Sequence, residues 1–144
     1  MSDFILPTYS RINLKFSYGK GSWLYTEGKK KYLDFSSGIA VNALGHSNPK
    51  LINALNKQSK KLWHTSNLYK ITEQEQLAKA LCRVSFASKV FFCNSGAEAT
   101  DGLIKIIRKY HYTKGNKHKT KIIVFDNAFH GRTLTGILAG STES

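Results

Sequence analysis

Two short stretches of this chain, about thirty residues apart, hold side chains and backbone able to do chemistry. In the first, Val90-Phe91-Phe92-Cys93 reads as a strand that passes through Asn94, Ser95, Gly96 and Ala97 into an amphipathic helix pattern (Leu103, Ile104, Ile107, Tyr110). A strand feeding a helix through Ser95-Gly96-Ala97 leaves the first helical N–H groups unpaired at the positive end of the helix dipole. Gly96 and Ala97 carry almost no side chain, so an anion can approach the backbone closely, which makes this turn a phosphate seat. In the second stretch, Lys121-Ile122-Ile123-Val124-Phe125 reads as a buried strand, and Asp126 to Thr133 follow it. Here Phe129 offers an aromatic face and Arg132 a planar guanidinium fork suited to a carboxylate.

Strand, helix and strand at this spacing predict a right-handed βαβ unit whose parallel strands end at one edge. In open α/β sheets ligands bind at that edge, so both turns are expected to face a common crevice. An anion seat, a ring face and a guanidinium together suit a flat phosphorylated cofactor and a carboxylate substrate. Elsewhere, residues 1–18 read as an extended polar arm, and Trp23–Thr26 with Lys31–Phe35 as a hairpin closed by a glycine turn at Gly28. Pro49 opens a helix expected to run to about Trp63, with a stripe of Leu51, Ile52, Leu55 and Leu62. Thr72 and Glu75 predict a capping box for a further helix whose Leu77, Leu81 and Val84 face inward. Leu134–Ala139 is ambiguous from its residues alone.

With 41% hydrophobic residues and 144 positions, the chain can hold one core of ordinary domain size. It has no apolar run of membrane-spanning length and no signal-peptide pattern at Met1-Ser2-Asp3-Phe4, so neither a membrane nor a secretory role is expected. Cys82 and Cys93 read as reduced core thiols, and the five histidines lack metal-ligand spacing; His46 and His130 are expected to stabilise turns. The net charge of +13 raises the possibility of a basic nucleic-acid-binding module. Against it, the basic residues are 18 Lys and 4 Arg, there is no nucleic-acid motif, and the Arg108–Lys121 cluster reads as a solvated helix end and loop.

Asn94-Ser95-Gly96-Ala97-Glu98-Ala99 and Phe129-His130-Gly131-Arg132-Thr133-Leu134 resemble the class-III pyridoxal-phosphate aminotransferases, the group with acetylornithine, ornithine and 4-aminobutyrate transaminases. Gly19-Lys20-Gly21-Ser22-Trp23-Leu24-Tyr25, Lys31-Tyr32-Leu33-Asp34-Phe35, Gly38 to His46 and His64 to Tyr69 extend the resemblance over nearly the whole chain. Within the group the pattern stands nearest the acetylornithine type, and Ile39 agrees, since ornithine transaminases carry a tyrosine there.

The resemblance implies an α/β fold of the fold-type I architecture. Residues 1–70 would form the N-terminal arm and small-domain segment, and residues 71–144 the start of the large cofactor-binding domain, a mostly parallel sheet with flanking helices. It implies pyridoxal 5′-phosphate as cofactor, held by Ser95, Gly96, Ala97 and Phe129, with Arg132 and Tyr9 at the substrate and no metal. Amino-acid and 2-oxo-acid substrates, a homodimer and a cytoplasmic location follow, the expected reaction moving an amino group between N2-acetylornithine and 2-oxoglutarate. Relatives usually read Asn-Glu-Ala-Ala where this chain has Thr100-Asp101-Gly102-Leu103, so Asp101 shortens a side chain near the site. The family's Schiff-base lysine matches no lysine here and is expected beyond Ser144, so the chain reads as the N-terminal part of an aminotransferase or an inactive truncated fragment.

Overall fold

In the computed structural model, residues 4–140 are described, and the chain divides after Lys70 into two units. The first unit is built on a three-stranded antiparallel sheet of order β1-β2-β3, with β1 Tyr18–Lys20, β2 Trp23–Tyr25 and β3 Lys31–Leu33. The β2–β3 hairpin is the expected one, with Trp23 opposite Leu33 and Tyr25 opposite Lys31. Its turn differs in one respect: the left-handed residue is Lys29 (φ 58°) and not Gly28, and the Lys29 N–H donates to Thr26 O at 2.9 Å. β1 comes from the end of the stretch read as an arm. It pairs Tyr18 with Tyr25, whose rings stack at 4.5 Å, a cross-strand contact of the kind that stabilises sheets.

The segment after β3 is tied to this sheet by polar contacts. Gly19 leaves room for His46; a Cβ there would lie 2.6 Å from the His46 Cβ. The backbones of Gly21 and His46 exchange two hydrogen bonds (2.8 and 2.9 Å), and the Ser47 hydroxyl donates to Gly19 O. The His46 Nε2–H donates to Asp34 Oδ2 at 2.7 Å, while Asp34 Oδ1 accepts from the Ser36 N–H, the Ser36 hydroxyl and the Ser37 N–H. His46 therefore does stabilise its turn. These donors, His46 foremost, hold the Asp34 carboxyl at about 2, well below its ordinary 3.8. The single turn α1 (Ser37–Ala40) is left-handed: Ser37, Gly38, Ile39 and Ala40 all have φ between 47° and 63°.

Helix α2 (Pro49–Ser59) starts where Pro49 predicts, with the Asn48 side chain accepting from the Lys50 N–H at 3.0 Å. It stops short of Trp63 because the Trp63 indole N–H donates to Ser59 O (2.9 Å), the carbonyl a further turn would have used.

The second unit carries α3 (Thr72–Arg83), α4 (Gly96–Thr113) and α5 (Leu134–Ala139). The predicted capping box does not form. Ile71 is the N-cap of α3, so Thr72 already lies inside the helix, where its hydroxyl cannot reach back to a free N–H. The parallel strands also require correction: neither 90–93 nor 121–125 is a strand, and the only sheet among the described residues is the antiparallel one of the first unit. Strands on either side of a crossover helix need not be neighbours, and no described residue lies alongside either segment to build a ladder.

No hydrophobic residue among those described is fully buried. Ile123 is 98% and Phe125 86% exposed where a buried strand was expected; Leu77, Leu81 and Val84 lie open, and Cys93 is exposed rather than in a core. The chain exposes 13601 Å², against about 7,500 Å² for a folded monomer of this mass. So much uncovered apolar surface cannot balance chain entropy. The 144-residue chain by itself is accordingly expected to melt without a sharp transition and to self-associate on sedimentation; a cooperative, monomeric unfolding transition would contradict this. A second expectation concerns pH. A carboxyl depressed in the folded state contributes stability in full above 3.8 and loses it as pH falls through about 2. An NMR titration should place Asp34 near 2, and His46→Ala should return it toward 3.8.

Candidate active site

The seat begins at Ser95, whose extended backbone (φ −153°, ψ 162°) puts its hydroxyl in position to accept the Glu98 N–H at 3.2 Å. Glu98 turns back and its Oε2 accepts from the Asn94 N–H at 2.7 Å and from the Asn94 side chain at 3.1 Å. Ser95 thus caps the helix, while Glu98 holds the preceding residue, Asn94, and does not return to the Ser95 N–H as a full capping box would. Two first-turn donors remain. The N–H groups of Gly96 and Ala97 have no acceptor among the described residues, and a Cβ on Gly96 would meet nothing within 4 Å. Open space at Gly96, and two N–H groups without an acceptor at the positive end of an 18-residue helix, fit a phosphate.

The second turn lies directly against the first. Gly131, at φ 110°, packs so closely on α4 that a Cβ would fall 2.6 Å from the Ala97 Cβ and 2.9 Å from its Cα. The Arg132 guanidinium carbon lies 5.9 Å from the centre of the Phe129 ring. Thr133 caps α5 by accepting the Gly136 N–H at 3.1 Å, and its hydroxyl donates to Asp101 Oδ1 at 3.2 Å. The two turns thus meet at Gly131 and Ala97, with Ser95 and Gly96 on one side of the contact in the chain and Phe129 and Arg132 on the other. Tyr9 belongs to the first unit, where the Arg11 guanidinium lies 5.7 Å over its ring. Gly131 and the Asp101–Thr133 bond were not legible as site features, although Gly131 sits inside the Phe129–Thr133 motif. His130 is not held by a turn hydrogen bond, since its Nε2 is buried without a partner.

A cleft of about 700 Å³ runs along α4 instead of over the seat, lined by Lys105, Arg108, Lys109, Tyr112 and Lys117. Lys109 and Lys117 lie over the Tyr112 ring, which makes this a solvated cationic face. Among the described residues no group of three or more His, Cys, Asp or Glu could hold a metal, and no helix is long and apolar enough to cross a membrane.

The helix start thus has N–H groups without an acceptor and is packed against a turn that carries an aromatic ring and a guanidinium. The family model for class-III aminotransferases matches residues 6–144, and the chain belongs to that family. It is 52% identical over 139 residues to the acetylornithine aminotransferase of Agrobacterium fabrum, covering 96% of this chain and 35% of that protein. The chain therefore spans about a third of the length of the curated relatives it matches. Among solved structures, the N-acetylornithine aminotransferase of Stenotrophomonas maltophilia matches 85% of this chain and 34% of its own, at 37% identity and a TM-score of 0.77. The adenosylmethionine-8-amino-7-oxononanoate aminotransferase of Methanocaldococcus jannaschii covers 97% of this chain and 34% of its own, at 31% identity and 0.90. Enzymes of this class are aminotransferases dependent on pyridoxal phosphate.

The contact at Gly131 gives a direct test. Gly131→Ala adds a Cβ that Ala97 cannot yield to, at a φ that disfavours side chains, and is expected to destabilise the site by about 1–3 kcal/mol. In the cofactor-loaded enzyme this should appear as weaker cofactor retention on dialysis; retention equal to wild type would show that the two turns are not in register.

Proposed function

We propose that this chain is the N-terminal portion of an acetylornithine-type aminotransferase, which moves an amino group from N2-acetylornithine to 2-oxoglutarate or in reverse. What supports the reading is the packing of Gly131 on Ala97, which joins the turn carrying Phe129 and Arg132 to the helix start at Gly96 and Ala97. The identity to acetylornithine aminotransferases over nearly the full chain supports the choice of donor.

In this reading Gly96 and Ala97 hold the cofactor phosphate through their N–H groups, with Ser95 fixing the turn by its cap on Glu98. Phe129 stacks on the ring and limits water on that face. Arg132 clamps a substrate carboxylate, a task for which a planar two-pronged donor is better suited than lysine. Tyr9 is assigned to the substrate side. Pyridoxal phosphate, when bound, supplies the electron sink that amino transfer requires. We further place the enzyme in the cytoplasm as a homodimer.

The experiment is glutamate formation by the cofactor-loaded aminotransferase carrying this sequence, with N2-acetylornithine, ornithine and 4-aminobutyrate as competing donors to 2-oxoglutarate. The expected order puts acetylornithine first by kcat/KM; no glutamate from any donor would sink the activity, and preference for another donor would sink the specificity. Arg132→Ala should raise KM for 2-oxoglutarate by about 10- to 100-fold, the loss expected for a charge-assisted hydrogen bond.

A further inference from the structure

We infer that Asp101 and Thr133 form a latch that fixes where Arg132 stands relative to the phosphate seat. The inference rests on the proposed role of Arg132 and assigns Asp101 and Thr133 as positioning residues. Ala97 and Asp101 are four residues apart on α4, hence on one face and about 6 Å apart along the axis. The following turn touches that face at two points two residues apart: Gly131 meets Ala97, and the Thr133 hydroxyl donates to Asp101 Oδ1 at 3.2 Å. Two residues of chain reach at most about 7 Å, so a segment pinned at both points has little slack. Arg132 is the residue between the pins.

The hydroxyl of Thr133 is used twice. It gives its hydrogen to Asp101 and accepts the Gly136 N–H at 3.1 Å, so the same oxygen ties α4 to the first turn of α5. Both partners are part-buried, which limits competition from water. The Asp101 side chain is long enough to meet Thr133 directly, with no intervening group. Losing either side chain should leave the seat intact, because Ser95, Gly96 and Ala97 have their own cap and make no use of the latch.

The test is made on the cofactor-loaded enzyme, with 2-oxoglutarate affinity, cofactor affinity and amide exchange at Gly136 as readouts. Asp101→Ala and Thr133→Val should each weaken 2-oxoglutarate binding by about 5- to 20-fold, and the double variant by no more than the worse single one, as partners in one bond behave. Cofactor affinity should stay within about twofold, and Gly136 exchange should speed up in both. Asp101→Asn and Thr133→Ser keep the acceptor and the hydroxyl and should restore tight carboxylate binding; they also serve if the larger changes prevent folding. Unchanged 2-oxoglutarate affinity in Asp101→Ala, additive losses in the double variant, or an equal fall in cofactor affinity would overturn the latch. A silent Arg132→Ala would instead overturn the role of Arg132 itself, so the two failures are told apart.

Discussion

The close approach of Gly131 to Ala97 is the constraint on which the second unit's chemistry depends. It exists only because neither residue has a side chain larger than a methyl group. A helix start by itself binds anions indifferently. In the proposed reading, Phe129 and Arg132 on the adjoining turn narrow that choice to a flat ligand that is acidic at two places. The electrostatics come from the main chain, which cannot be mutated away, and the selectivity comes from a turn that can.

The first unit shows a different means of holding a loop. Its sheet has three residues per strand, too short to be stable by backbone pairing alone. The carboxylate of Asp34 draws in donors from Ser36, Ser37 and His46, and so ties the left-handed turn Ser37–Ala40 to the edge of the sheet. Left-handed backbone costs on the order of 1–2 kcal/mol per residue with a Cβ, and Ser37, Ile39 and Ala40 all bear one. A charged acceptor is the group best able to offset such strain, because hydrogen bonds to ionised groups are about twice as strong as neutral ones.

Local features were the more legible ones in the sequence. The helix start after Ser95, the β2–β3 hairpin and Pro49 as the first residue of a helix all follow from short-range rules about caps, turns and periodicity. The left-handed turn was hidden, since of its residues only Gly38 hints at positive φ. β1 escaped notice because Tyr18-Gly19-Lys20 lacks strand alternation and depends on Gly19 making way for His46. The early end of α2 was missed for a related reason: periodicity cannot show that the Trp63 indole will take a helix carbonyl. Residues 90–93 and 121–125 have strand composition without a ladder, because pairing is a property of two segments and composition of one.

Those two segments bear on how the polypeptide reaches its working state. Each combines aromatic or branched side chains with main-chain groups lacking a ladder, the pattern that templates intermolecular β-association. Neither run is paired with another segment among the described residues. Lys89 before the first run, and Lys119 and Lys121 at the start of the second, set like charges beside those apolar side chains, a pattern that opposes such association. The net charge of +13 works in the same direction, against the association that the uncovered apolar surface favours.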